Sequence, residues 1–140
     1  MENIAVEKLN ENSILPSRSH CDDAGLDLYA AEGFVIEPGQ GKMVSTGIAM
    51  EIPKGYVGMI ADRSSMAKKG LKTAGGIVDS GYRGEVKVLL WNLSHQNYTV
   101  SPKDRVAQIL LIPIATPVVQ EVPQLSKTER GAGGFGSTGN

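Results

Sequence analysis

The segment Gly76-Ile77-Val78-Asp79-Ser80-Gly81-Tyr82-Arg83-Gly84-Glu85 runs directly into Val86-Lys87-Val88-Leu89-Leu90-Trp91-Asn92. In the second half Val86, Val88 and Leu90 alternate with Lys87, Leu89 and Trp91, the period of a strand with one face in a core. Two β-like runs flank Ser80-Gly81, which predicts a hairpin. The same period recurs upstream, where Ile48, Met50 and Ile52 alternate with Ala49, Glu51 and Pro53. Further β-rich runs cover residues 34–36, 56–60 and 106–112, each bounded by Gly, Pro, Asn or Asp. Short strands with turn signals every 8–12 residues or so predict an all-β sandwich or barrel. A single helix of at most about two turns is predicted over residues 64–69, with a serine start and Gly70 as its stop.

The chain has 140 residues, enough for one domain with a core and too few for two ordinary ones. A formal net charge of -1 argues against a protein that coats nucleic acid or an anionic membrane by bulk charge. The lone Cys21 excludes an internal disulfide framework and a Cys-rich zinc site. No apolar run reaches the roughly 18 residues of a membrane span. Residues 1–12 are polar and carry Glu2, Glu7 and Lys8, unlike a signal peptide, so an intracellular soluble domain, cytoplasmic or organellar, is expected. Glycine is the outlier, with 17 residues against a usual share of roughly 7%.

Many of those glycines fall in residues 130–140, a tail too poor in apolar surface to order itself. Gly131, Gly133 and Gly136 match a dinucleotide fingerprint, and residues 131–138 nearly match a P-loop with Ser137 in place of its lysine. Both motifs need a strand before and a helix after, and no helix can follow here. The chemistry still suits an anion, because mobile N–H groups, Ser137, Thr138 and Arg130 can wrap phosphate.

Four other segments carry candidate chemistry. Asp79 and Tyr82 flank the Ser80-Gly81 turn, where a carboxylate can accept a proton from water and a ring can lie against a sugar. Read alone, the same residues make a solvated Asx turn. Arg63 and Ser64 precede the candidate helix, either as anion ligands or with Ser64 or Ser65 as a plain cap. Asp27 alternates with Leu26 and Leu28, free to serve a metal-bound water or a backbone turn. Gln108 is the only amide in an apolar strand and needs partners, either backbone groups or a bound phosphate. His20 and His95 lack the spacing of a metal pair, and Trp91 reads as core or interface.

In order and wording, residues 24–28, 63–67, 76–85, 104–108 and 130–139 resemble the five motifs of the trimeric dUTPase family. The resemblance spans nearly the whole chain. It implies a distorted jelly-roll-like β-subunit with one short helix, a domain over residues 1–129, a flexible C-terminal arm over 130–140, and a homotrimer with composite active sites. It implies hydrolysis of dUTP to dUMP and pyrophosphate with Mg²⁺ on the triphosphate, a reaction that keeps uracil out of DNA and supplies dUMP for thymidylate synthesis. By the same resemblance Asp79 deprotonates the attacking water and Tyr82 lies against the deoxyribose. The backbone around Gly76 and Ile77 reads uracil. Arg63, Ser64, Ser65 and Gln108 belong to the phosphate region, and Asp27 to the water network of the metal. Arg130, Gly136, Ser137 and Thr138 close on the outer phosphates while Phe135 stacks over the base.

The family usually has proline and glycine where this chain has Asp62 and Ser65, and Asp62 brings a negative charge beside an anionic substrate. The Arg63-Ser64-Ser65 wording is shared with the related dCTP deaminases. Their proton-shuttling glutamate has no counterpart in residues 86–92, which carry leucines there. A binding module without catalysis would be marked by loss of Asp79 or of the arm, and both are present.

Overall fold

The computed structural model describes residues 3–139; Met1 and Glu2, at the start of the polar leader, and Asn140, at the end of the expected arm, lie outside the described residues. In chain order the strands are β1 (Ala5–Lys8), β2 (Leu26–Tyr29), β3 (Phe34–Ile36), β4 (Gly41–Glu51), β5 (Tyr56–Ala61), β6 (Leu71–Ala74), β7 (Ile77–Val78), β8 (Glu85–Asn92), β9 (Tyr98–Val100) and β10 (Arg105–Pro113). The helix α1 (Ser64–Lys68) joins β5 to β6. One antiparallel sheet has the order β1-β4-β8-β6, a second β2-β10-β5-β7, and β3 pairs with β9. A single apolar cluster joins the sheets, with Leu28, Ile48, Leu71, Val88 and Ile109 among its members. The result is a distorted jelly-roll-like sandwich in which neither sheet closes into a barrel.

The period-two reading of β8 holds: Val86, Val88 and Leu90 are buried while Lys87 and Trp91 are exposed. It fails in part for β4, where Ala49 is buried together with Ile48 and Met50. The β4–β8 register slips between Ser45 and Ala49, and a bulge of this kind breaks strict alternation. Glu85 holds the slipped stretch, accepting from Ser45 Oγ and, at 2.8 Å, from Gly47 N–H.

The predicted hairpin around Ser80-Gly81 is corrected. β7 pairs with β5 of the second sheet, Gly58 opposite Val78, whereas β8 lies in the first sheet between β4 and β6. Residues 79–84 therefore carry the chain from one sheet to the other. The cause lies upstream, in Gly75 and Gly76 with φ of 69° and 88°, a region open to glycine and costly for other residues. They peel the chain off β8, which β6 still pairs at Ala74 opposite Leu89, and deliver it to β5.

The helix is also shorter and differently capped than expected. Arg63 is the cap residue, with extended backbone and no side-chain capping bond, so neither Ser64 nor Ser65 is a cap. Gly70, at φ 82°, ends the segment as predicted.

Buried polarity is satisfied at the end of β8. The Asn92 amide donates to Ile36 O at 2.8 Å and Gln96 O at 2.7 Å, and its oxygen accepts from Ser94 N–H and Oγ. Truncation at Asn92 takes the side-chain donor from the Ile36 carbonyl, at a cost of about 1–3 kcal/mol, while Gln96 O keeps Ser94 Oγ at 3.0 Å. Asn92→Ala is expected to lower stability by roughly 1–3 kcal/mol, measured by urea unfolding at fixed protein concentration.

Candidate active site

The strand β10 organises the first part of the site. Gln108 lies opposite Asp27 on β2 and opposite Ala61 on β5, so three sequence segments meet at one level of the sheet. Gln108 Nε2 donates to Asp62 O at 2.8 Å. Asp27 alternates outward between buried Leu26 and Leu28, as expected, but serves no backbone turn: Oδ1 accepts from Arg63 Nε at 2.9 Å and Oδ2 lies 3.5 Å from Arg105 Nη1. Gly25, Asp27, Arg63, Ser64, Ser65 and Gln108 all line one polar cavity of about 260 Å³. The two serines are exposed at the start of α1 with hydroxyls free of capping duty. Hydroxyls, a guanidinium and an amide converging on one space make a binding set for oxyanions.

Gly25 was not singled out by the sequence. A Cβ there would stand 2.1 Å from Gln108 Oε1, so the glycine makes room for the amide to lie in the cavity. Nothing local to residues 23–28 signals this, because the contact is made across the β2–β10 pairing.

Asp62 corrects an expectation. Its carboxylate does not line the polar cavity and is spent elsewhere: Oδ2 accepts from Lys72 Nζ at 2.7 Å, and Oδ1 from Thr73 N–H and Oγ1, both at 2.7 Å. Burial alone would raise this carboxyl, but the hydrogen bonds from Lys72 and Thr73 outweigh it and hold the group below its ordinary value of 3.8. The folded-state pKa is depressed, so the clasp contributes fully above that ordinary value and is lost as pH falls through the lower folded one.

The second part of the site is a cavity of about 300 Å³ lined by Ile60, Gly76, Ile77, Asp79 and Tyr82 together with Met43, Val86 and Lys87. The Gly76 carbonyl accepts from Ile60 N–H at 2.7 Å, which fixes the backbone of residues 76–77 along the cavity wall. Tyr82 N–H donates to Asp79 O at 3.0 Å, and Tyr82 OH donates to Glu85 O at 2.9 Å. Gly84 lets the ring lie down, since a Cβ there would be 2.5 Å from the phenolic oxygen. The Asp79 carboxylate is exposed and forms no ion pair among the described residues. Glu85 also lines the cavity but is engaged by Ser45 and Gly47, so an apolar floor with the exposed Asp79 carboxylate beside it suits a flat ring whose reacting group projects outward.

The two cavities share no lining residue. Arg130, Phe135, Gly136, Ser137 and Thr138 line neither. Residues 113–132 are exposed throughout, and the last bond from this stretch to the sheets is Ile114 N–H to Gly55 O at 2.9 Å. Beyond it the arm bonds only to itself among the described residues, as in Arg130 Nε to Gly133 O at 2.9 Å. Phe135, at φ 52°, presents its whole ring to solvent.

A β-sandwich with a polar cavity rich in hydroxyl and guanidinium groups, a ring-sized pocket edged by an exposed carboxylate, and a solvent-exposed glycine-rich arm fits a protein that handles phosphorylated nucleosides. The family model dUTPase matches residues 11–139, and the chain belongs to the dUTPase family. The deoxyuridine 5'-triphosphate nucleotidohydrolase of Yarrowia lipolytica is 49% identical over 139 residues, covering 97% of this chain and 88% of that protein. That of Nautilia profundicola is 42% identical over 139 residues, with 97% and 98% covered. A variant of the Staphylococcus bacteriophage 80alpha dUTPase, solved with dUpNHpp, superposes with a TM-score of 0.94 at 30% identity and full coverage of both chains. A variant of the phage phi11 dUTPase, TM-score 0.82 at 29% identity with 88% and 98% covered, was solved to describe coordination of a structural Mg(II) ion.

The donor set bears on the metal. Among the described residues no group of three or more His, Cys, Asp or Glu is placed to hold an ion, and both Asp27 oxygens face guanidinium groups. The carboxylate and hydroxyl oxygens lining the polar cavity are the hard donors that a divalent ion such as Mg²⁺ takes.

Gly25→Ala tests the polar cavity. The three atoms nearest the added methyl all belong to the Gln108 side chain and none is backbone, so the fold should survive while the Gln108 amide is displaced. The expected outcome is a kcat/KM for nucleotide hydrolysis reduced by about 10–100-fold, with thermal unfolding near that of the unaltered chain.

Proposed function

We propose that this chain hydrolyses dUTP to dUMP and pyrophosphate by attack of water on the α-phosphorus. The observation that carries the reading is the exposed Asp79 carboxylate, without an ion pair among the described residues, in a ring-sized pocket also lined by Tyr82, Gly76 and Ile77. Asp79 orients the water and takes its proton as the new P–O bond forms, and the bond to the bridging oxygen breaks to release pyrophosphate. The backbone of residues 76–77 reads the uracil edge, and the Tyr82 ring leaves no room for a 2′-hydroxyl. Arg63, Ser64, Ser65 and Gln108 hold phosphate oxygens near the reacting centre. Such a reaction needs positioning and charge neutralisation more than covalent help. Mg²⁺ bound to the triphosphate supplies neutralisation of its charge and alignment of its oxygens.

In this proposal the domain is residues 1–129 and the arm residues 130–140, and the functional unit is a homotrimer whose sites draw on three chains. The separation of the two cavities supports it: one chain's Asp79 pocket meets a second chain's Arg63–Gln108 cavity, and a third chain's arm closes over both. Arg130, Gly136, Ser137 and Thr138 then hold the outer phosphates and Phe135 stacks on the base. Among the described residues no helix is long and apolar enough to cross a membrane, and the proposed setting is the intracellular nucleotide pool.

Asp79→Asn keeps size and hydrogen bonding but cannot take the proton. It is expected to reduce pyrophosphate release from dUTP by about 10²–10⁴-fold while binding of dUpNHpp, followed by calorimetry, is retained. A chain ending at Glu129 is expected to fold and trimerise but lose most activity, because the lid that excludes water and orders the triphosphate is gone; light scattering and steady-state kinetics on the truncated chain check both halves. Hydrolysis by that chain at the full rate would remove the arm from the site.

A further inference from the structure

The strand β6 is the edge of its sheet, and an edge strand leaves backbone N–H groups unpaired. One of them, Thr73 N–H, is taken by Asp62 Oδ1, which also accepts from Thr73 Oγ1. Oδ2 of the same carboxylate binds Lys72 Nζ at 2.7 Å. Asp62 itself follows the last residue of β5, in the opposite sheet, and its carbonyl accepts the Gln108 amide at 2.8 Å. A single residue therefore ties the rim of one sheet to the other through its side chain while holding a cavity-lining side chain through its backbone. Arg63 and Ser64 come next in the chain, so the direction in which they leave β5 is set by the same anchor.

We propose that Asp62 is a positioning residue for the phosphate-binding half of the site, acting through Gln108 and the first turn of α1 without touching substrate. The proposal rests on the reading of the Gly25–Gln108 cavity as the place where phosphate binds. An amide nitrogen has two N–H donors. With one committed to the Asp62 carbonyl, the planar amide is fixed and the second is available to a phosphate oxygen. Lys72 neutralises the Asp62 carboxylate and the side chain lies outside the cavity, so its charge does not oppose the anion. Freed from β6, the turn at residues 62–64 would drift, and a misplacement on the order of 1 Å can cost on the order of 10²-fold in rate.

The test compares two ligands on the full-length protein with Mg²⁺ present. Deoxyuridine reports the nucleoside pocket alone, and dUpNHpp adds the phosphates. The ratio of their dissociation constants, taken by calorimetry, isolates what the phosphate half contributes. In Asp62→Ala this ratio should shrink by about tenfold, with deoxyuridine affinity within about twofold of the unaltered chain. Asp62→Asn keeps an acceptor for both Thr73 donors and should restore most of the ratio, which a general loss of packing would not do. An unchanged ratio in a folded Asp62→Ala protein, or equal weakening of both ligands, overturns the proposal. Should Asp62→Ala fail to fold, Thr73→Val serves instead: it removes one of the three contacts, and a ratio reduced by about threefold supports the assignment while an unchanged one overturns it. Failure of the unaltered chain to release pyrophosphate from dUTP would instead overturn the functional reading itself, so the two failures are told apart.

Discussion

The register of β10 is the constraint on which the site depends. Gln108 faces Asp27 on one side and Ala61 on the other, and only this alignment puts the donors of three distant segments into one cavity. The alignment requires an irregularity. Val106, Ala107 and Ile109 are all buried, which no unbroken two-residue alternation allows if Gln108 is to face away from them. The slip between Arg105 and Ala107 resolves the conflict: one extra residue is absorbed before the site, and Gln108 emerges on the face of Asp27. Because a shift by one residue exchanges the two faces of a strand, the bulge separates an amide in the cavity from an amide in the core.

The acid half of the site obeys a different constraint. Asp79 and Tyr82 lie on the crossing between two sheets, and both ends of that crossing are held, Val78 by its pairing to β5 and Glu85 by its hydrogen bonds to Ser45 and the Gly47 backbone. A free hairpin tip would leave the carboxylate on a mobile turn. Anchored at both ends, with the tyrosine hydroxyl bonded back to Glu85, it can hold a fixed position relative to the pocket floor. Positioning of this kind is what water attack on a phosphate ester demands.

The sequence made some of this legible and hid the rest for identifiable reasons. The buried face of β8, the short helix before Gly70 and the all-β class follow from local periodicity and stop signals, which are properties of neighbouring residues. The crossing at residues 79–84 does not, because two apolar runs around Ser80-Gly81 look alike whether they pair with each other or with strands elsewhere. Asp79, Tyr82, Arg63 and Ser64 stand out as candidates because several ordered motifs match one family together, though each alone reads as an ordinary turn or cap. Gly25 and Asp62 act through contacts across the sheets, with Gln108 and with Lys72 and Thr73, and no local pattern announces such contacts. Asp62 shows the hazard of judging a charge by its place in the chain: its distance from phosphate is decided by which way the side chain turns, and two donors on β6 decide that.

The exposed run after Pro113 completes the physical picture. Val118, Val119, Leu125 and Phe135 project into solvent from a stretch whose described hydrogen bonds beyond Ile114 are all internal. A chain that leaves large apolar groups uncovered gains free energy by finding a surface for them, and glycine makes that ordering expensive in entropy. The balance is best met when several weak attractions act at once, which in the proposed function are base stacking for Phe135, charge for Arg130 and hydroxyl contacts for Ser137 and Thr138. In the proposed reading, an arm built this way closes when the complete nucleotide is present and opens when the product has lost its outer phosphates. Its poor ability to order itself thus suits a lid that must release what it covers.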